Sequence, residues 1–174
     1  MRIDFAAYAD DCTVSGGVAL ETDRLSDMIG ATEEFQVDGA AFRALDDGRV
    51  IEAGDTAICL DDLCVITATG PRGKQERRLW TRQVPVCARI GPYSVVGYLH
   101  SPPTIDPFKR AERRAIVALT AATIEYTMEG VVAREHSDAV LLNRRKIERM
   151  ELANKAEVQL SRGLDLKTTG DLFG

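Results

Sequence analysis

The chain has 174 residues, of which 45% are hydrophobic and 28% are charged. This length suits one ordinary domain or two very small ones, and this balance is typical of a globular protein with a core, which excludes a wholly disordered chain. The N-terminus has no basic start followed by an apolar run, and no stretch reaches the roughly 18 apolar residues of a membrane helix. We therefore expect a cytoplasmic chain with no membrane segment.

The net charge of -5 is unevenly distributed along the chain. Residues 1–66 carry 4 basic and 15 acidic side chains, whereas residues 67–114 carry 10 basic and 3 acidic ones. Residues 115–174 are nearly balanced, with 8 basic and 9 acidic side chains. Such asymmetry bears on the partners of a protein, within the chain or outside it, and not on its fold.

Strand patterns and turn residues alternate through the first half of the chain. The glycine pair at 16–17 lies among β-branched residues and indicates a bulge or a close approach of two backbones. Residues 23–30 predict a short helical turn or structured loop. Phe35 begins an alternating run that ends at the Asp46-Asp47-Gly48 turn, which is a strong hairpin signal. Further strands are expected on either side of the turn at 61–62.

The second half follows a segment with dense turn chemistry at residues 69–74. Residues 93–100 predict a strand, and Pro102-Pro103 ends it because proline has no N–H for a ladder. Residues 108–114 favour a short helix. Residues 115–127 fit a continuation of that helix and a strand equally well by periodicity.

A shift of about eighty residues aligns the two halves of the chain. Residues 13–18 then fall on residues 94–99, and Val50-Ile51 falls on Val131-Val132. Order and spacing are kept across five segments. The alignment favours a strand over residues 115–127.

The sequence therefore predicts a mainly β fold of two tandem, related small β-barrel or sandwich units with short helical excursions. The predicted limits are 13–66 for the first unit, 67–92 for a basic linker or extended hairpin, 93–152 for the second unit, and 153–174 for a C-terminal helix or tail.

Each half reads as a glycine-containing strand, a short excursion, two strands, and an apolar strand that ends in Asp or Asn before a last short strand. This order resembles that of Sm-like small β-barrels, and the run from Val140 to Ile147 resembles the turn between their last two strands. The stretch from Arg24 to Ile29, followed by Phe35, is also similar to bacterial domains of unknown function. The Sm-like resemblance implies small barrels and RNA binding, although neither half carries a clear copy of the Asp-aromatic-Met-Asn loop.

No pattern in the sequence specifies a reaction, a cofactor or a metal. Cys59 and Cys64 are separated by four residues, and with His100 and His136 they could in principle form a zinc set. Both cysteines lie in apolar runs, so buried thiols are the favoured interpretation. We predict no catalytic residue, no cofactor and no metal site.

The basic middle of the chain is the strongest candidate for binding. Basic residues beside a tryptophan are typical of single-stranded nucleic-acid binding, but a pI near 5.1 favours an account in which they face acidic surfaces of this chain or of a neighbour. We predict a non-enzymatic structural or protein-interaction module that self-associates, with RNA or single-strand binding as the alternative. The candidate binding residues are Arg72, Lys74, Arg77, Arg78, Trp80, Arg82, Lys109, Arg110, Arg113 and Arg114.

Overall fold

The computed structural model describes residues 1–67, 69–71 and 80–159 and is mainly β, which confirms the predicted fold class at that level. The strands and helices in chain order are β1 Arg2–Ala9, β2 Cys12–Ala19, α1 Leu25–Ala31, β3 Glu34–Ala44, β4 Val50–Cys59, a first 3₁₀ turn Leu60–Asp62, β5 Leu63–Thr67, β6 Arg82–Ile90, β7 Tyr93–Ser101, α2 Pro107–Glu112, β8 Ile116–Met128, β9 Val131–Asn143, a second 3₁₀ turn Arg144–Lys146, and β10 Ile147–Leu152. The elements from β1 to β5 thus follow the same order as those from β6 to β10.

All ten strands belong to one antiparallel sheet, in the order β10-β6-β7-β8-β9-β5-β1-β2-β3-β4. The sheet is open, and β10 and β4 are its two edges in the part of the chain that the structure describes. Two separate barrel or sandwich units therefore stay a prediction, as do their limits.

Two strands lie beyond the predicted limits of the units. β1 precedes residue 13, and β6 occupies the second half of the predicted linker. The alternation of Ile3, Phe5 and Ala7, all buried in β1, is the period-two signal of a strand with one covered face. That signal was present in the sequence and was missed.

The ambiguous region after Pro103 contains both a helix and a strand. Asp106 begins α2 as its N-cap, because its side chain accepts hydrogen bonds from the backbone N–H groups of Phe108 and Lys109 at 2.9 and 3.4 Å. β8 follows and pairs with strands on both sides, β7 and β9. Pairing along both edges, which periodicity cannot reveal, decides this segment in favour of a strand.

The predicted glycine features are present in the first half. Asp46, Asp47 and Gly48 lie in the turn between the paired strands β3 and β4, and Gly48 has a φ of 69°. The β2–β3 register shifts between Ser15 and Gly17. A Cβ atom on Gly16 would lie 2.5 Å from Val37 Cγ1 and 2.9 Å from the backbone oxygen of Asp38, so the close approach of two backbones requires glycine here.

The buried side chains form two hydrophobic cores that share the middle of the sheet. The first core is built mainly by β6–β9 but includes Tyr8, Cys64 and Val65 from the first half. The second is built by β1–β5 and α1 but includes Leu141 from β9. All five residues of β5 are buried. The exchange of side chains across β5 and β9 joins the two halves into one packed body.

The chain after β9 ends in a strand and a helical segment. β10 lies at the end of the predicted second unit, and residues 155–159, within the predicted C-terminal helix or tail, are helical. Within the described ranges, no helix combines the length and the apolar character that crossing a membrane requires.

Candidate functional site

The predicted basic residues are partly brought together by the structure. Arg72, Lys74, Arg77 and Arg78 lie outside the described residues. Trp80 is 80% exposed. The guanidinium of Arg82 donates to the backbone oxygen of Ile105 at 3.5 Å, which places the start of β6 beside the loop that precedes α2. Lys109 on α2 and Arg113, its C-cap residue, are both exposed.

Arg110 and Arg114 line a groove with a volume of about 710 Å³ between α2 and the sheet. Its apolar lining includes Leu99, Val117 and Leu141. A third arginine, Arg24 at the start of α1, also lines it. Local sequence carries no signal for this third arginine, because α1 and α2 approach the same groove only through the sheet. We call this feature the arginine groove.

His100 lies at the base of the arginine groove with both ring nitrogens engaged. Its Nε2 is 2.6 Å from Thr120 Oγ1, and its Nδ1 is 3.2 Å from Thr81 Oγ1. Burial lowers the pKa of His100 below the usual value for histidine, so the ring is neutral at pH 7. A neutral ring held by two hydroxyl groups braces the strands β7 and β8 at this point.

The junction of the two halves is a short ladder between β5 and β9. Val65, Ile66 and Thr67 lie opposite Leu142, Leu141 and Val140, respectively. Asn143 closes the ladder: its buried amide donates to the backbone oxygens of Leu60 and Leu63, both at 3.1 Å. The same side chain accepts from the backbone N–H of Arg145 at 3.1 Å and caps the second 3₁₀ turn.

Opposed charges meet at the edge of this junction. The first 3₁₀ turn carries Asp61 and Asp62, and we call it the acidic turn; the second carries Arg144, Arg145 and Lys146, and we call it the basic turn. Arg145 Nη1 is 3.2 Å from Asp61 Oδ1. Lys146 Nζ is 2.7 Å from Asp10 Oδ2.

Acidic residues of the first half therefore pair with basic residues of the second half within one chain. The paired basic residues belong to the basic turn and not to the predicted candidate set.

The four cysteines of the described chain are free thiols. Burial and a hydrogen bond of 3.2 Å to Asp10 raise the pKa of Cys64 to about 12. Burial also raises the pKa of Cys12 to about 11. Both are protonated at neutral pH and are poor nucleophiles in that state. Cys59 is half-buried, and no group of three or more potential metal-ligating His, Cys, Asp or Glu residues occurs in the ranges described.

Among the residues that the structure describes, the edge strands β4 and β10 have a ladder partner on one side only. Directly after β4, Leu60 N donates to Glu33 O at 2.8 Å. Residues that bond to the neighbouring strand alternate with residues that do not along an antiparallel ladder. Ala57, three positions before Leu60, therefore turns its N–H and C=O away from β3. Ala153 N donates to Pro85 O at 2.9 Å, and by the same alternation Met150 and Leu152 turn theirs away from β6. Both outer edges can thus accept a further strand.

The described chain offers two candidate sites, the arginine groove and the pair of open sheet edges. Comparisons with family models, with curated proteins and with solved structures returned no match for this chain.

Proposed function

We propose that the chain is a non-enzymatic interaction module that self-associates, and that β4 of one copy pairs with β10 of the next. The observation that carries this proposal is the β5–β9 ladder. β9 and β4 are each the fourth strand of their half, and β5 and β10 are each the fifth. One fourth-to-fifth pairing is made inside the chain, and the other two strands are left without a partner on one side in the part of the chain that is described.

The proposal treats the two halves as structural repeats. The shared order of elements supports this reading, and so does the strand order, because each half runs fifth-first-second-third-fourth across the sheet. The presence of one hydrophobic core in each half supports it as well. The resemblance to Sm-like small β-barrels agrees with both observations.

The internal ladder gives the register of the proposed contact. Arg144 N donates to Ala115 O at 3.0 Å, on the β8 side of β9. Because bonded residues alternate between the two sides of a strand, the N–H and C=O of Leu141 point towards β5, where Ile66 lies opposite. When the two halves are aligned on their 3₁₀ turns, Ala57 in β4 is equivalent to Leu141 in β9. Met150 in β10 is equivalent to Ile66 in β5. Met150 of one copy would then lie opposite Ala57 of the next, and Leu152 opposite Asp55.

The charges of the two 3₁₀ turns favour the same arrangement. At the internal junction the basic turn lies against the acidic turn, with Arg145 bound to Asp61. Copying that junction between molecules brings the acidic turn of one copy to the basic turn of the next. Attraction between these exposed turns weakens with salt because counterions screen it.

The outer contact is weaker than the inner one because its side chains are more polar. At the junction, three side chains reach into the opposite core, those of Cys64, Val65 and Leu141. The residues at the corresponding positions of the outer edges are Glu148, Arg149 and Ala57, respectively. Charged residues on edge strands limit uncontrolled association. We therefore expect reversible assembly that depends on protein concentration.

Two proline substitutions test the proposal without touching the core. Ala57→Pro and Leu152→Pro each remove an N–H that points outwards, so the ladders to β3 and β6 keep their bonds. Light scattering on the native chain should show a mass above that of the monomer at low salt and a decline with added salt. Each proline variant should lose that association, whereas Ala57→Ser and Leu152→Ser, which keep the N–H, should retain it.

Mixing the two proline variants separates head-to-tail pairing from two-fold pairing of like edges. Each variant keeps one intact edge, so the mixture should form a one-to-one pair and nothing larger. A mixture that stays monomeric while the native chain assembles would refute the β4–β10 contact. A native chain that is monomeric at every concentration and salt tested would refute self-association itself.

A further inference from the structure

We propose that the arginine groove binds a small phosphate-bearing organic ligand of about mononucleotide size. The site brings together Arg24, Arg110 and Arg114 in a groove whose lining also includes apolar side chains and one carboxylate, Asp138. It is separate from the self-association proposed above, since no residue of β4 or β10 lines the groove.

The charge of the groove points to an anion. Arg43, Arg134 and Arg145 each have a carboxylate within 3.2 Å. By contrast, no carboxylate of the described residues lies within ion-pair distance of any of the three groove arginines. Arg24 and Arg110 are also half-buried. Partial loss of hydration, with no carboxylate of the described residues at ion-pair distance, favours the arrival of an anionic group.

Guanidinium groups bind carboxylates as well as phosphates, and the placement of three of them on two elements favours phosphate. The guanidinium group is a planar fork that binds phosphate oxygens through two parallel hydrogen bonds and stays charged at all relevant pH values. Arg110 lies in the last turn of α2 and Arg114 lies two residues after its end, whereas Arg24 approaches from the N-cap of α1. A group with several oxygens and more than one charge can engage donors that come from two separate elements.

The size and the floor of the groove call for an organic body attached to the phosphate. A volume of about 710 Å³ lies within the range of small-molecule sites, which is roughly 300–1,000 Å³. Ala118, Ala121 and Ala139, which line the groove and are at least partly exposed, provide apolar surface against which a ring can pack. Free inorganic phosphate would leave that surface exposed to water, so it should bind more weakly than a phosphorylated ligand with a ring.

Calorimetric titration of the full chain at low salt tests this site with adenosine monophosphate, inorganic pyrophosphate and uncharged adenosine as probes. We expect adenosine monophosphate to bind most tightly and adenosine to bind far less. The double variant Arg24→Gln/Arg110→Gln should weaken binding of the monophosphate by about tenfold or more, because charge-assisted hydrogen bonds are lost. Arg113→Gln, which removes an exposed arginine from the same end of α2 without touching the groove, should leave the affinity unchanged.

Thermal unfolding in phosphate-free buffer verifies that both variants are folded before titration. The proposal is overturned if neither phosphorylated probe binds the native chain, or if Arg113→Gln weakens binding as much as the double variant does. It is also overturned if a single-stranded oligonucleotide binds much more tightly than the monophosphate and this binding is lost in Trp80→Ala. That result would identify a nucleic-acid surface centred on the exposed tryptophan.

Discussion

Tyr8 in β1 donates a hydrogen bond to the carboxylate of Glu135 in β9, which lies 127 positions further along the chain. The other carboxylate oxygen of Glu135 accepts a hydrogen bond from Tyr126. Tyr93 completes a cluster of three rings, with edge-to-face contacts and centroid separations of 5.5 to 5.7 Å. Its hydroxyl donates to the backbone oxygen of Ala9 at 2.5 Å. The cluster connects the first strand to three strands of the second half.

The tyrosine cluster predicts a loss of stability at alkaline pH. Burial raises the pKa of Tyr8, Tyr93 and Tyr126, and the carboxylate of Glu135 raises those of Tyr8 and Tyr126 further. The folded state therefore keeps these protons at a pH where the unfolded chain releases them. The contribution is complete below about pH 10, the usual value for tyrosine, and declines as pH rises above it. Urea unfolding at several pH values, followed by tyrosinate absorbance, measures the decline.

Tyr8→Phe is the control for that dependence. It removes one proton from the linkage, so the fall in unfolding free energy with pH should be shallower than in the native chain. At neutral pH it should cost about 1.5 kcal/mol for the lost bond to a charged acceptor. An unchanged alkaline slope in this variant would contradict the assignment.

Leu141→Ala should destabilise the whole chain and not only the half to which its strand belongs. Leu141 is on β9, yet it is buried in the core of β1–β5. Removing a buried leucine side chain costs about 3 kcal/mol. Denaturation monitored by circular dichroism and by tyrosine fluorescence should show one shared transition at lower urea. Two separate transitions would contradict a single packed body. The control is Ile51→Ala at an exposed position, which should change the free energy of unfolding by less than about 0.5 kcal/mol.

Two glycine-to-alanine substitutions should act in opposite directions. At Gly16 the new Cβ would collide with Val37 and with backbone oxygen in the neighbouring strand, and the expected cost is about 1–3 kcal/mol. At Gly30 in α1 no heavy atom lies within 4 Å of the new Cβ. Alanine there should stabilise the chain by roughly 0.5–1 kcal/mol through helix propensity. The melting temperatures of the two variants show whether each substitution stabilises or destabilises the chain. Equal changes in melting temperature would argue against the close approach at Gly16.

Asn143 should be intolerant of substitution because its amide serves three backbone groups at the junction. Asn143→Ala removes the side-chain donor to the buried carbonyl of Leu63 and to that of Leu60, which keeps its bond from Leu63 N–H, and should cost about 1–3 kcal/mol. Asn143→Asp keeps the cap on Arg145 but places a carboxylate against two carbonyl oxygens, so it should also destabilise. Urea titration measures the free energy of unfolding of both variants. An Asn143→Asp variant as stable as the native chain would show that only the cap on Arg145 matters.

Local patterns in the sequence determined those features that depend on neighbouring residues. The Asp46-Asp47-Gly48 turn, the glycine approach at 16–17 and the strand that became β7 were all predicted, because turn chemistry and period-two alternation act over a few positions. The charge asymmetry was also present in the sequence. It was resolved partly within the chain, where Asp10 and Asp61 bind the basic turn.

Only the tertiary structure decided which distant segments meet. Nothing local indicates that β5 pairs with β9, that Tyr8 reaches Glu135, or that Arg24 shares a groove with Arg110. These contacts join residues more than 70 positions apart, and their register is chosen by the burial of two cores across one sheet. The sequence alone therefore determined a β-rich chain with an uneven charge, whereas the open edges and the arginine groove exist only because the strands are ordered as they are.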